Sequence, residues 1–417
     1  MKICFVCDLR SPLSKNLIDY FASQNNNEIL IISTFTAEKT YKSIPVKSVP
    51  IAFTWLQTII GIVKRKILKK DSTFIHNEFH GGKISKLYSV LRCYIAPQII
   101  PIESLLIRRL IKKFNPEIVH AMRIPFEGIL TYWALKGLNI PYILSIWGND
   151  LTLFASKYSS IGKQTVLALK NCAGLHTDCQ RDISLAQKFG YSEYGQSIVI
   201  PGNGGIRSEH FFPKRMNFLH TKYKIPEENF IILNPRGWRK YIKVEEFLTS
   251  IPLVLNDIKN CTFICIGYEG ISFIEEIVNR LGIKENIIFA KHIEWLEMPL
   301  YYSEADITIS PSIFDGTPNS LLETMACGSF PISGIIDSVQ EWIINKENGL
   351  LIDANDPRSI ADGIVYALKN KEFRIKAIEK NYTIVKERAD YATMMRKLDA
   401  FYYKVIKTNL KTQIRKS

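Results

Sequence analysis

A short loop and the helix predicted to follow it carry two acids at a spacing that suits ligand binding. In the stretch DGTPNSLLETMACG, Asp315 opens the loop and Glu323 comes eight positions later. Thr317 is expected to cap the helix, and Pro318 to occupy its first position. The amides of residues 316–320 would then be unpaired donors at the positive end of the helix, which attracts phosphate or sugar hydroxyl oxygens.

Glu323 is predicted to lie about one and a half turns into this helix. A carboxylate there can accept hydrogen bonds from two neighbouring hydroxyls, such as those of a ribose. Leu321, Leu322 and Met325 form the buried stripe of the predicted helix, and Gly328 is expected to end it. An ordinary strand–helix unit with acids on its surface shows the same pattern, so both interpretations remain open.

The elements that must position these residues follow a regular order. Short β-branched runs alternate with amphipathic stretches, from KICFVCD near the start to GLLID near residue 350. Two successive series of this kind predict two doubly wound α/β domains with parallel sheets. Glycine and asparagine interrupt the pattern at 199–206. The predicted domains are therefore 1–203 and 204–387, and a last helix at about 388–417 is expected to pack back on the first.

The carboxyl ends of the predicted strands offer further candidate residues. Open parallel sheets bind ligands beyond these ends. The strand ends with small or polar residues are Gly148-Asn149-Asp150, Arg236-Gly237, Gly267-Tyr268 and Asp315-Gly316. Two such domains facing each other would form a cleft with ligand on both walls.

The charge of the chain is unevenly distributed. The total is +14 over 417 residues, with +12 in residues 1–200, −3 in 201–400 and +5 in 401–417. A basic half favours a polyanionic partner: anionic lipid, nucleic acid or a phosphorylated substrate. Simple solubility is the alternative explanation.

Two segments of the basic half predict contact with a membrane surface. The longest apolar stretch, 51–63, is too short to span a bilayer and runs into Lys64, Arg65, Lys66, Lys69 and Lys70. A second cluster comprises Arg108, Arg109, Lys112 and Lys113. Apolar stripes with basic flanks are typical of helices that lie on anionic lipid. A core helix with one solvent-exposed face would show the same pattern. No signal-peptide pattern opens the chain, so a cytoplasmic protein at the membrane surface is expected.

The cysteines are expected to be reduced core residues. Cys4 and Cys7 form a C-x-x-C pattern within an apolar predicted strand. Residues three apart in a strand face opposite sides, so the two thiols should not share a metal.

The segment around 305–357 resembles the nucleotide-sugar signature of family 4 glycosyltransferases, which have the two-domain GT-B fold. The matching residues are Ser310-Pro311-Ser312, Asp315-Gly316, Pro318, Leu322-Glu323, Met325-Ala326, Gly328 and Pro331. The stretches YYSEADITISPS and NKENGLLIDANDP resemble the same family, as do IVHAMRIPFEG, WGND and VIPGNGG in the first domain and hinge. The resemblance therefore covers most of the chain.

The resemblance implies a donor site in the second domain. Asp315 and Glu323 match the family's two spaced acids, with Asp in place of the first Glu; the first contacts donor-sugar hydroxyls and the second the ribose. Arg236 matches the family's diphosphate-binding arginine, and Lys240 or Lys243 takes the place of its lysine. The implied donor-binding residues are Arg236, Lys240, Lys243, Gly267, Ile293, Asp315, Gly316, Thr317, Pro318, Asn319, Ser320 and Glu323.

The resemblance implies an acceptor site in the first domain. SIWGND occupies the place of the family's H-G-x-D, with Trp147 in place of the histidine. Trp147 is expected to stack on a sugar while Asp150 orients a hydroxyl, and Asn149 is a further candidate acceptor-binding residue. Arg10 is a candidate phosphate contact. His120 ends a strand, where a core role is as compatible as acceptor binding.

These features together predict a retaining, metal-independent glycosyltransferase without a cofactor. A leaving diphosphate needs a metal held by carboxylates or an Arg/Lys clamp, and no D-x-D pattern occurs in the chain. The expected catalytic residues are Asp315, Arg236 and Asp150. The expected partners are a nucleotide sugar, a glycan or lipid-linked acceptor of cell-surface polysaccharide synthesis, and an anionic membrane, but no nucleic acid. A nucleotide-sugar epimerase of the same fold and a catalytically inactive binding subunit are the alternatives.

Overall fold

The structure, a computed structural model, describes residues 1–56, 59, 88–148, 150–214 and 216–414. It contains two compact units. Unit 1 comprises residues 1–203 together with 395–417, and unit 2 comprises residues 204–394.

The described part of unit 1 contains an eight-stranded sheet in the order β3-β4-β2-β1-β5-β6-β7-β8. Its pairs are parallel except for β3 with β4. The strands are β1 (Lys2–Cys7), β2 (Glu28–Ser33), β3 (Thr40–Tyr41), β4 (Ile44–Ser48), β5 (Ile118–Ala121), β6 (Tyr142–Ile146), β7 (Gly174–Thr177) and β8 (Ser197–Val199). The order of the strands reverses between β1 and β5, which is where an open sheet of this kind forms a ligand crevice.

Helices cover both faces of this sheet, which explains why its central strands are buried along their whole length rather than on alternate residues. The α-helices whose bounds fall within the described residues of unit 1 are α1 (Pro12–Ala22), α2 (Ala96–Phe114), α3 (Ile129–Leu135), α4 (Ser159–Asn171) and α5 (Gln180–Lys188). Among the described residues, π-helical segments cover Leu91–Ile95, Ile124–Gly128 and Asp150–Ala155. Cys4 and Cys7 of β1 are free and fully buried, which confirms their predicted core role.

The described residues of unit 2 form a six-stranded parallel sheet in the order β11-β10-β9-β12-β13-β14. The strands are β9 (Phe230–Asn234), β10 (Cys261–Ile266), β11 (Ile287–Ala290), β12 (Ile307–Ser310), β13 (Phe330–Gly334) and β14 (Leu350–Ile352). The order reverses between β9 and β12. The helices are α6 (Phe218–Tyr223), α7 (Val244–Asp257), α8 (Ser272–Leu281), α9 (Met298–Glu304), α10 (Asn319–Cys327), α11 (Asp337–Gln340), α12 (Pro357–Lys369) and α13 (Lys371–Arg388). Short 3₁₀ turns cover Gly202–Gly204 and Lys284–Asn286.

The chain passes between the units twice. Gly205 follows the first crossing with φ +97°, and a Cβ there would lie 2.4 Å from the carbonyl oxygen of Ala389, so only glycine fits. The last helix, α14 (Tyr391–Ile414), begins in unit 2 and continues into unit 1. It packs so closely on β7 that a Cβ on Gly174 would lie 2.9 Å from the ring of Phe401.

Candidate functional site

The reversal point of the unit 2 sheet brings two loops together. One loop follows β9 and the other follows β12. An antiparallel bridge joins Ile242 to Ser312, and the amide of Ile313 donates to the carbonyl of Tyr241 at 3.0 Å. Because backbone bonds fasten the loops to each other, the side chains that they carry have defined positions.

Arg236 and Asp315 meet at this point. The Arg236 Nη2 atom lies 2.7 Å from Asp315 Oδ2, and both side chains are 18% exposed. The backbone amide of Arg236 donates to Asn234 Oδ1, and its Nη1 lies 3.5 Å from Ser320 Oγ. Burial lowers the pKa of Arg236, but its neighbours, chiefly the carboxylate of Asp315, together outweigh burial, so the pKa is raised overall. The guanidinium is therefore a fixed positive charge within reach of solvent.

Glu323 lies on α10, and its carboxylate accepts a hydrogen bond from the hydroxyl of Tyr302, which is itself fully buried. Burial raises the pKa of Glu323 to about 7, although the hydrogen bond from Tyr302 and the charge of Arg236 oppose the shift. A carboxyl with this pKa changes its charge near neutral pH. Sequence reasoning identified the residue but not its protonation behaviour, which depends on its depth in the fold.

The start of α10 corrects the prediction. The helix begins at Asn319 with Pro318 as its N-cap residue, rather than with Thr317 as cap and Pro318 inside. Pro318 is extended, with ψ 126°, and Thr317 is buried, where its hydroxyl accepts a hydrogen bond from the indole of Trp342 at 3.3 Å. The hydroxyl therefore faces the core instead of capping the helix. Gly328 ends the helix with φ +83°, as predicted.

Several polar groups lie at the start of this helix. The amide of Gly316 bonds to Asp315 Oδ1 at 3.1 Å, which orders the loop. The side-chain oxygen of Asn319 is buried and has no hydrogen-bond partner within the described ranges. The first amides of a helix have no partner within it, so Asn319 and Ser320 offer backbone donors to a ligand.

Two other predicted donor contacts occupy different environments. Gly267 follows β10 with φ +75°, and a Cβ there would lie 3.4 Å from the Cα of Gly237, so the loops after β9 and β10 approach closely. Ile293 is only 9% exposed and packs in a core cluster with Tyr301 and Tyr302. Its contact with the donor stays a prediction, whereas its packing role is visible.

The two candidate lysines differ. Lys243 precedes α7, and its ammonium lies 3.1 Å from Glu246. Lys240 is exposed, and no ion pair of the part that the structure describes includes it. Lys240 is therefore the lysine whose charge is more available to an anion.

Unit 1 carries a corresponding pair at the carboxyl edge of its sheet. Arg123 follows β5, and its Nε lies 2.8 Å from Oδ1 of Asp150. Asp150 is fully buried, and its Oδ2 accepts the amide of Trp147 at 3.1 Å. Arg123 has φ +112°, an unfavourable conformation for a non-glycine residue, and its side chain is 45% exposed. Sequence reasoning missed Arg123, although its place two residues beyond a strand was a usable signal.

The remaining predicted acceptor residues separate into different groups. Arg10 follows β1 and forms an ion pair with Asp8 at 3.0 Å, while its guanidinium lies 3.6 Å from the ring centroid of Phe35. Trp147 is half-buried beside Asp150. Asn149 lies outside the described residues.

His120 belongs to the core, which decides against acceptor binding and for the core role among the two that its sequence position allowed. It is fully buried; one ring nitrogen bonds to Ser145 at 2.7 Å, and the other bonds to the hydroxyl of Tyr402 on α14. Ser145 also bonds to His176 at 2.8 Å. Burial lowers the pKa of His120 and lowers that of His176 to about 4, so both rings are neutral. This network ties the last helix to the sheet.

One cluster has the residue types of a metal site, and sequence reasoning did not identify it. Ligand atoms of Asp178, Cys179 and Asp182 lie within 4.8 Å of one another. However, the guanidinium of Arg181 donates to Asp182 Oδ1 at 2.8 and 3.0 Å, which supplies the positive charge. Burial also raises the pKa of Cys179, so its thiol stays protonated. These contacts do not fit a cation.

The predicted basic membrane segment, residues 64–70, lies outside the described residues. Of the second cluster, Arg108 is used within the fold, because its guanidinium donates to the carbonyls of Ala134 and Lys136 at 2.8 Å. Within the described ranges, one helix, Tyr88–Phe114, has the length and apolar composition that crossing a membrane requires.

Comparisons with known proteins agree with this arrangement. The model for "Glycosyl transferases group 1" matches residues 216–383, and the "Glycosyl transferase 4-like" model matches residues 92–175. The N-acetyl-alpha-D-glucosaminyl L-malate synthase of Bacillus anthracis is 22% identical over 304 residues, which make up 70% of this chain and 76% of the relative.

Solved structures show the same fold. Sucrose-phosphate synthase from Thermosynechococcus elongatus matches with a TM-score of 0.73 at 12% identity, covering 98% of this chain and 100% of that one. Anabaena Alr3699/HepE, solved in complex with UDP-glucose, matches with a TM-score of 0.71 at 13% identity, covering 97% and 100%. The predicted GT-B fold class is confirmed.

Proposed function

The chain belongs to the group 1 glycosyltransferases, and from this premise we propose that it transfers a sugar from a nucleoside diphosphate donor to a hydroxyl group of a glycan or lipid-linked acceptor. The observation that carries the proposal is the pairing of Arg236 with Asp315 at the reversal point of the unit 2 sheet. The solved HepE complex contains UDP-glucose, which supports the donor class.

Arg236 would bind the donor diphosphate. When the bond between the sugar carbon and the diphosphate oxygen breaks, negative charge grows on the leaving group. A fixed guanidinium stabilises this charge more in the transition state than in the ground state. Asp315 holds the guanidinium in place from one side, and the exposed Lys240 supplies a second positive charge on the same loop.

The two acids of unit 2 would divide the rest of the donor between them. Asp315 accepts hydrogen bonds from the donor sugar. Glu323 accepts from the two ribose hydroxyls, while Tyr302 donates to Glu323 and fixes its orientation. Asn319 and Ser320 contribute donors at the start of α10. Glu323 contributes a negative charge to the donor site only in the ionised form of its carboxyl.

The acceptor would bind at the carboxyl edge of unit 1. Asp150 is tied to Arg123 and to the backbone of Trp147, so the ring of Trp147 and the guanidinium of Arg123 are held in position for a sugar. The acceptor hydroxyl attacks the sugar carbon from the face that the diphosphate leaves, the new glycosidic bond keeps the donor configuration, and the leaving phosphate takes the hydroxyl proton. Neither a metal nor a protein nucleophile takes part in this scheme.

The biological setting belongs to the same proposal. The charge of +12 in residues 1–200 supports a place at the anionic inner face of the cell membrane. An enzyme there would meet lipid-linked acceptors in the synthesis of a cell-surface polysaccharide of bacterial type.

The proposal is tested with a panel of sugar nucleotides, each incubated in EDTA with and without saccharide and lipid-linked acceptors. Release of nucleoside diphosphate that depends on the acceptor, together with a glycoside product of unchanged anomeric configuration, is the expected result. Free nucleotide with an altered sugar and no need of acceptor would identify an epimerase instead. Binding of a nucleotide without turnover of any donor would identify a binding subunit.

A further inference from the structure

Helix α2 of unit 1 has two different faces. Its inward face is part of the core: Ile100, Ile107 and Ile111 are fully buried there. Its outward face carries Ile102, Leu105 and Leu106, which are 70%, 56% and 54% exposed. These outward positions lie three or four residues apart and so form one continuous stripe along the helix.

The charged residues on the outward face are cations rather than acids. Arg109, Lys112 and Lys113 continue the stripe into the last turns of the helix and are exposed. Helix α2 contains one acidic residue, Glu103. Its carboxylate is held by the backbone of Ala52, whose amide donates to the two carboxylate oxygens at 3.1 and 3.2 Å. The face therefore consists of aliphatic side chains followed by three positive charges.

The same stripe continues toward the candidate acceptor edge. In the helical turns just before α2, Tyr94 is more than half exposed, and Arg92 lies 4.0 Å from the ring centroid of Phe126. Phe126 lies in the π-helical segment directly after β5, at the carboxyl edge of the sheet. An exposed tyrosine at the end of an apolar stripe suits the boundary between lipid and water.

We propose that the outward face of α2 docks unit 1 on an anionic lipid bilayer, with Ile102, Leu105 and Leu106 in the headgroup boundary and Arg109, Lys112 and Lys113 on lipid phosphates. Helix α2 lies in the plane of the membrane surface and does not cross the bilayer, because its inward face belongs to the hydrophobic core of unit 1. A second protein is a poorer match, since interface cores are depleted of lysine. This inference rests on the proposed function only in taking the acceptor to be lipid-linked.

The test is flotation of the full-length protein with phosphatidylcholine vesicles that either contain or lack phosphatidylglycerol. The parent protein should bind the anionic vesicles and lose binding as salt is raised. Leu105→Ser with Leu106→Ser should lower partitioning by about tenfold or more, because apolar groups leave the boundary. Arg109→Gln with Lys112→Gln and Lys113→Gln should lower it by roughly a hundredfold, at about fivefold for each cation.

Matched controls come from helix α13 of unit 2. Ile375→Ser with Tyr382→Ser removes side chains of similar exposure, 47% and 44%. Lys371→Gln with Lys376→Gln and Lys386→Gln removes the same charge from exposed positions. Both controls should bind vesicles like the parent. Thermal unfolding of every variant shows whether it is folded.

Three results would overturn the proposal: no vesicle binding by the folded parent, parental binding by both α2 variants, or an equal loss in the α13 controls. If the parent is a dimer that Leu105→Ser with Leu106→Ser converts to a monomer, the face instead binds a second copy. Donor hydrolysis in solution should be the same in the parent and the α2 variants. Vesicle binding without donor turnover would refute the proposed function alone, and turnover without vesicle binding would refute the docking surface alone.

Discussion

Each unit holds an arginine two residues beyond a strand and pairs it with an aspartate, but the two pairs differ in burial. In unit 1, Asp150 is fully buried and also bonded to the backbone, while Arg123 is 45% exposed. In unit 2, Arg236 and Asp315 are equally exposed at 18%. The unit 1 acid is therefore an anchor that fixes one arginine. In the unit 2 pair both side chains reach solvent, so a ligand can contact the arginine and the aspartate.

The positions of the pairs explain this difference. Arg236 and Asp315 follow neighbouring strands on opposite sides of the strand-order reversal, where an open sheet leaves a crevice. Arg123 and Asp150 follow β5 and β6, which lie on the same side of the reversal in unit 1. Ion pairs of the same residue types thus have different roles according to where the sheet places them.

The comparison predicts the largest effect at Arg236. Arg236→Ala should lower donor turnover by about 100- to 1000-fold, because it removes a preorganised charge from the leaving diphosphate. The measurement is nucleoside diphosphate release at saturating donor. Arg239→Ala is the control: Arg239 lies on the same loop, is exposed and donates to the carbonyl of Trp238. An equal loss in the control would mean that general charge, rather than the Asp315 pair, matters.

Glu323→Gln should weaken the donor interaction next most. The variant keeps the size of the side chain and one acceptor oxygen but loses the charge, at a cost of about 2–3 kcal/mol, or roughly 30- to 150-fold in kcat/KM. Calorimetry with nucleoside diphosphate alone should show weaker binding. Asp315→Asn is the matched variant, in which nucleoside diphosphate binding stays nearly intact while the preference among donor sugars changes. Weaker nucleoside diphosphate binding in Asp315→Asn with normal binding in Glu323→Gln would contradict this assignment of the ribose to Glu323 and of the donor sugar to Asp315.

The raised pKa of Glu323 adds a pH dependence to this prediction. With a pKa of about 7, the carboxylate form increases as pH rises. If the charged form binds ribose, donor kcat/KM should rise about tenfold between about pH 6 and pH 8 in the parent. Glu323→Gln should be flat over that range. A parental profile that falls with pH would contradict the assignment.

Arg123→Ala should affect the acceptor rather than the donor. The loss of one charge-assisted contact, about 1.5–3 kcal/mol, should lower transfer kcat/KM for the acceptor by roughly 10- to 100-fold. Donor hydrolysis without acceptor should be unchanged, which is the opposite of the Arg236→Ala result. If donor hydrolysis falls as well, the two pairs do not have the separate roles proposed here.

The two aspartates should differ in their effects on stability. Asp150→Asn should lower the free energy of unfolding by about 1.5–3 kcal/mol, since a fully buried charge loses its bond to Arg123. Asp315→Asn should cost about 1 kcal/mol or less, because both partners remain partly solvated. Calorimetry, with hydrogen exchange to assign the change to unit 1 or unit 2, provides the measurement. Equal losses would show that the difference in burial has no energetic consequence.

Chelation should have the smallest effect. If Arg236 and a lysine alone stabilise the leaving group, turnover in EDTA should match turnover in magnesium or manganese to within about twofold. Activity that disappears with chelator and returns with metal would contradict the arginine clamp.

Local sequence patterns predicted much of this fold. Alternating apolar runs predicted two parallel-sheet units, and the buried stripe and terminal glycine of α10 were correct. The predicted start of α10 was wrong by one residue, because the burial of Thr317 beside Trp342 outweighed its preference for capping. His120 was ambiguous in sequence, since its partner Tyr402 is far away along the chain and on a different element.

The sequence by itself determined most secondary-structure elements, the fold class and the candidate acids Asp315 and Glu323, because hydrophobic period and helix signals act between residues a few positions apart. Only the tertiary structure decided that Arg236 meets Asp315, that Arg123 meets Asp150, and that the Glu323 carboxyl titrates near neutral pH. These properties depend on strand order and on depth of burial. Both arise when distant segments pack together, so a local pattern does not contain them.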